Sequence, residues 1–165
     1  MRLFQALSAG VVVFPWLAVL MAAPSAAGGH GPHLAFGAPQ ISTINGQPVP
    51  GRILPLQDVA ILIDTLTSSG QHLLVMRGTR KAGTRMAIHL HEHVGFTCVL
   101  TGVITIFMDG REPEAQPAGT CYYMPANTLM AAANLGREDA ILTDHFIAPP
   151  GEPVLVVREP GYPDE

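Results

Sequence analysis

The sequence predicts an all-β domain, and three observations carry that expectation. Short apolar segments are punctuated by turn signals at Asn45-Gly46, Thr101-Gly102 and Asp109-Gly110, a rhythm of strands and tight turns that suits a sandwich or barrel. Gly 17 and Pro 15 stand against only 13% charged residues, which leaves few helix-forming runs. Finally, His89, His91 and His93 occupy alternate positions, with Met86, Ile88 and Leu90 in the opposite phase. Successive side chains of a strand point to opposite faces, so three imidazoles would share one face and apolar groups the other. Such a strand reads as the wall of a barrel with a polar interior. Three neutral imidazoles converging on one point are accounted for by a metal ion; solvated surface histidines are the alternative.

The chain has 165 residues, enough for one domain with a core. Its formal net charge of -4 offers no basic field to nucleic acid. Residues 1–27 stand outside the folded body. Arg2 is a minimal basic start, residues 7–23 are largely apolar, and Pro24-Ser25-Ala26-Ala27 supplies small residues for cleavage. This reads as a secretory signal peptide cut after Ala27, giving a periplasmic or secreted protein. A retained anchor helix, the only route to membrane contact, is the alternative. Export changes the reading of Cys98 and Cys121, the only two cysteines: they form either a disulfide or two buried free thiols.

Residues 28–40 are mostly Gly, Pro, His and Ala and read as a flexible linker, in which His30 and His33 are either solvated or loose metal contacts. The folded domain spans 41–165. Asn45-Gly46 is a hairpin-type turn. Residues 52–56, 60–66, 72–77 and 85–93 read as strands, the second also compatible with a helical turn. Residues 96–100 and 103–108 are expected to form a hairpin about Thr101-Gly102. The proline-broken stretch 112–118 suits an edge, and 120–124, 129–134, 140–146 and 154–157 complete the set. Residues 103–108 are apolar on both faces, so either the N-terminal strands or a second subunit must cover the outer one. A homodimer is expected on that ground.

Two spaced motifs now carry a resemblance. Gly83, His89, His91 and Gly102 fall on the first motif of the cupin superfamily, and Gly119, Pro125 and Asn134 on the second. The chain resembles a single-domain cupin, which implies a jelly-roll barrel and a metal held by two histidines and a glutamate of the first motif and a histidine of the second. The departures are informative. The glutamate position is Gly95, the second-motif histidine position is Met130, and Asn127 replaces a glycine.

The resemblance therefore implies a divergent site. His89, His91 and Met130 give an N,N,S set that favours copper, with iron, manganese or zinc as alternatives. His93 could join from the same strand face. Asp144 and His145 lie on opposite faces of one strand, so one of them should point inward: His145 as a further imidazole, or Asp144 as an oxygen ligand or ring-orienting acceptor. Thr97, Tyr122 and Tyr123 are candidates for pocket polarity. Met130 is alternatively a core residue, which would leave a degenerate, metal-free barrel serving as a ligand-binding or interaction module. No nucleophile–base pair is visible, which argues against hydrolysis. A small-molecule ligand is expected, and an enzyme built on this site would be a dioxygenase-like oxidoreductase.

Overall fold

A computed structural model describes residues 40–163 together with the backbone of Leu34–Phe36. The signal segment and the rest of the expected linker up to residue 39 lie outside the described residues. Thirteen strands follow in order: β1 (Leu34–Phe36), β2 (Arg52–Ile53), β3 (Gln57–Leu66), β4 (His72–Arg80), β5 (Thr84–Arg85), β6 (His89–Leu90), β7 (Gly95–Thr101), β8 (Val103–Met108), β9 (Glu114–Pro117), β10 (Cys121–Met124), β11 (Met130–Asn134), β12 (Ala140–Ala148) and β13 (Leu155–Val157). They make two sheets. One runs β1-β13-β6-β11-β5-β2, with β8 also paired to β11 and β9 to β8; the other runs β10-β7-β12-β4-β3. The described residues contain no helix. The core lies between the sheets, where Leu74, Met76, Val99, Ile104, Leu142 and Phe146 pack together.

Turn chemistry sets much of this. Asn45 and Gly46 both have positive φ, 52° and 75°, and close the Ile44–Gln47 bridge as the sequence expects. Asn45 then ties down the turn at 109–110: its Nδ2 donates to the Arg111 carbonyl at 2.8 Å and its Oδ1 accepts from the Gly110 amide at 2.8 Å. The expected edge appears as β9, which among the described residues pairs only with β8. Residues 57–66 form strand, not a helical turn, with pairing irregularities between Gln57/Ala60 and Ile61/Ile63. Within the expected linker, β1 pairs in parallel with β13.

Two expectations are corrected. The hairpin about Thr101-Gly102 does not form: β7 pairs with β10 and β12, while β8 pairs with β9 and β11 in the other sheet. Gly102, at φ 76°, is where the chain changes sheets, and a Cβ there would lie 2.9 Å from the Ala140 Cβ. The histidine strand is also not continuous. It breaks into β5 and β6 around a bend at Ile88.

The bend has a cause in the C-terminal segment. The Glu159 carboxylate, 8% exposed, takes the two terminal guanidinium nitrogens of Arg85 at 2.5 and 2.8 Å and the Ile88 amide at 2.8 Å. The Ile88 carbonyl in turn accepts from the amides of Arg158 and Glu159. These bonds use the backbone groups of Ile88 that a straight strand would spend on its neighbours.

Of the two covers considered for β8, the N-terminal segment supplies one. Ile44 and Val49 bury themselves with Ile88 and Ala131, and Phe107 packs against that cluster. The disulfide alternative is also settled: Cys98 and Cys121 sit opposite each other on β7 and β10 and are bonded, Cα–Cα 4.0 Å. A bridge with a sequence separation of 23 restricts the unfolded chain by about 3 kcal/mol in the loop-entropy picture.

Candidate functional site

His89 and His91 reach the same interior cavity. The bend at Ile88 sends Ile88 into the N-terminal cluster and lets Met86 line the cavity alongside the two rings. Each imidazole is oriented by a carbonyl, His89 Nδ1 to Ala87 O at 2.8 Å and His91 Nδ1 to Val154 O at 2.7 Å. A carbonyl only accepts, so both Nδ1 atoms carry the proton and both Nε2 atoms keep a lone pair. The rings stand perpendicular with centroids 4.9 Å apart, and His91 leans on Phe146 at 5.5 Å.

Burial keeps both rings neutral. It pushes the His89 pKa down to about 3, reinforced by the neighbouring His91 and the Arg80 charge against the Ala87 carbonyl, and it lowers that of His91 against the Val154 carbonyl. His91 Nε2 is buried with no hydrogen-bond partner. An orphaned, oriented imidazole lone pair beside a second imidazole of the same tautomer is a donor set that fits a metal ion.

Met130 faces His89 across the β11–β6 pairing and lines the same cavity, while also packing in the core. Asp144 and Thr97 enter from β12 and β7, with Thr97 Oγ1 donating to the Asp144 carboxylate at 2.5 Å. Burial raises the Asp144 pKa, opposed by the Thr97 hydrogen bond and the Arg80 charge. Tyr122 lines the cavity as well, and burial, with the nearby Asp144, pushes its hydroxyl pKa further up from an already high value, so it stays protonated. Tyr123, on the other face of β10, is 57% exposed.

The structure does not bring His93 or His145 to this cavity. After His91 the chain bends, and His93 joins Glu92 and Glu152 at the surface, their ligand-capable atoms within 4.8 Å of one another. His145 lies on the outer face of β12, stacked on Phe96 with ring centroids 4.3 Å apart. Of the pair on β12, Asp144 is the inward one. Arg80 is the cavity residue that sequence reasoning missed. Ending the strand at residue 77 hid it, although Leu74, Met76, Gly78 and Arg80 follow one another at alternate positions on the buried face of β4.

A solved oxalate oxidase, in complex with glycolate, shares this architecture with a TM-score of 0.51 at 16% identity, over 63% of this chain and 56% of that one. This chain has the cupin fold. A double-stranded β-helix protein from Klebsiella pneumoniae matches with a TM-score of 0.46 at 20% identity, over 67% of this chain and 84% of that one. An RmlC-like cupin family protein from Methanocaldococcus jannaschii gives 0.47 at 16%, over 62% and 91%. No protein-family model and no curated protein matches the sequence.

On the cupin barrel the departures have a physical shape. At Gly95, the position of the cupin glutamate, a Cβ would lie 2.7 Å from the His145 carbonyl oxygen and 2.8 Å from Met124 Cε. No longer side chain fits there without moving β12. The carboxylate that the cavity does contain comes from Asp144, one strand over.

Proposed function

We propose that this exported cupin holds one metal ion on the Nε2 atoms of His89 and His91, with the Met130 thioether beside them, and takes a small molecule in the barrel. The observation that carries the reading is the buried His91 Nε2, which has no protein partner although its ring is held in place by Val154. Two imidazoles and a thioether favour copper; Asp144, if it contributes, shifts the preference toward iron, manganese or zinc. Bound copper would supply one-electron chemistry with dioxygen, which makes a dioxygenase-like oxidoreductase the activity class that fits. The residues of the chain orient the donors, exclude water and offer the Tyr122 hydroxyl as a proton-bearing contact.

Elemental analysis of periplasmic protein without a histidine tag tests this. About one metal ion per chain is expected, absent after His89→Ala with His91→Ala. Weakening by Met130→Leu supports copper, and indifference to Met130 with iron, manganese or zinc present supports Asp144. No metal after reconstitution would sink the reading and leave the metal-free ligand-binding module, which the core packing of Met130 favours. The mass of the same preparation tests export: cleavage after Ala27 is expected. The Cys98–Cys121 bridge supports an oxidising compartment.

A homodimer is proposed on a different surface from β8. Among the described residues the five-stranded sheet ends on β3, where Leu62, Ile63 and Leu66 are 52%, 43% and 62% exposed. An open, apolar edge strand pairs with a second copy of itself about a two-fold axis. Sedimentation velocity is expected to show a dimer that Ile63→Lys with Leu66→Lys converts to monomer. A monomeric wild-type protein at micromolar concentration would remove the proposal.

A further inference from the structure

Arg80 is a charged side chain placed inside the barrel with part of its hydrogen-bonding capacity unused. The residue is 4% exposed and lines the cavity with His89, His91 and Asp144. Its position is built from two sides. The Asn134 side-chain amide donates to the Arg80 carbonyl at 2.9 Å, and Arg80 Nη1 donates to the Leu54 carbonyl. Yet Arg80 Nε is buried with no acceptor. Among the described residues, no carboxylate lies within ion-pair distance of the guanidinium. Asp144, in the same cavity, attracts the Arg80 charge without forming an ion pair with it, and the unmet Nε donor of a buried guanidinium is costly.

We infer that Arg80 is the anchor for the carboxylate of a small organic acid bound in the barrel, beside the metal position formed by His89 and His91. A guanidinium fork matches a planar carboxylate in two parallel bonds, which is the geometry a free Nε edge offers. The rest of the cavity selects the tail. Met76, Met86, Leu142 and Phe146 line it, and its volume of about 120 Å³ admits only a short chain. Asp144 is already engaged by Thr97, whose hydroxyl donates to its carboxylate, while Arg80 Nε has no acceptor. This inference deepens the metal-cupin reading by naming its substrate class, but the anchoring itself needs no metal.

The test is calorimetric titration of butyrate, its neutral isostere butyramide and inorganic phosphate, into both chelator-treated and copper-loaded protein. Butyrate is expected to bind the chelated wild type at least about tenfold tighter than butyramide. Arg80→Met is expected to abolish that preference, and Arg80→Lys, which keeps the charge and loses the fork, to reduce it. Circular dichroism checks that each variant folds; should Arg80→Met not fold, the Lys variant decides. The inference falls if butyrate and butyramide bind alike, if butyrate binding is undetectable at millimolar concentration in both forms, if phosphate binds tighter, or if the folded Arg variants keep the preference. The two readings fail separately. A carboxylate preference in protein that binds no metal leaves the anchor standing and removes the metal. Butyrate binding only to copper-loaded protein, undiminished in Arg80→Met, makes the metal the anchor.

Discussion

Glu159→Ala is expected to lower the free energy of unfolding by about 3–5 kcal/mol and to disturb the histidine pair. Arg85 and Glu159 are 7% and 8% exposed, and the carboxylate satisfies two guanidinium nitrogens and the Ile88 amide together. Truncation leaves a guanidinium buried without its anion and an amide without its acceptor, and the cost of that orphaning exceeds whatever net stability the intact pair contributes. Urea denaturation of wild type, Glu159→Ala and the double variant Arg85→Met with Glu159→Leu separates the two quantities. The apolar pair should recover much of the single-variant loss, since it removes both charges at once. The effect should reach the site as well. His89 follows directly on the bend that Glu159 holds, so metal affinity is expected to fall in Glu159→Ala even where the protein remains folded. A single-variant loss below about 1 kcal/mol would show that water reaches Arg85, and the bend would need another cause.

The barrel and the inner pair of histidines were legible because they rest on local rules: alternation, turn residues and motif spacing. A strand need not keep its phase. The period of two that groups His93 with His89 and His91 ends because the chain turns after His91, where His93 meets Glu152. The break at Ile88 is invisible locally, since the carboxylate that makes it is seventy-one positions away in sequence. Thr101-Gly102 is a turn, but not a hairpin, because the same dipeptide that folds a strand back can also pass it to the other sheet. The choice between Asp144 and His145 was posed correctly and could not be decided from sequence. It depends on which face of β12 meets β7's Thr97, a long-range register. Arg80 is the opposite case: the alternation of β4 continues through Gly78 and places it on the buried face by a local rule.

Acid should unfold the chelated protein through its buried imidazoles, and the sign follows from where the protons sit. The His89 pKa is about 3 in the folded chain against 6.5 for an ordinary histidine, because burial, then His91 and then the Arg80 charge, outweigh the Ala87 carbonyl. Above pH 6.5 neither state binds the proton and His89 contributes no pH dependence. Between 6.5 and about 3 the unfolded chain binds a proton that the folded chain refuses, so stability falls as pH falls, by about 1.4 kcal/mol per pH unit. Below about 3 both states are protonated and the loss is complete. At pH 5, His89 alone should cost about 2 kcal/mol relative to neutral pH, and His91, lowered by burial, adds in the same direction. Asp144 works against this, since its raised pKa lets the folded chain take up a proton first as the pH falls. The wild-type slope is therefore a sum, and the informative quantity is its difference from His89→Gln, which cannot titrate. Unfolding free energies measured across this range in chelator are expected to fall less steeply in the variant. Parallel curves for wild type and variant would mean that His89 takes up its proton equally in the folded and unfolded chain, so that burial does not lower its pKa.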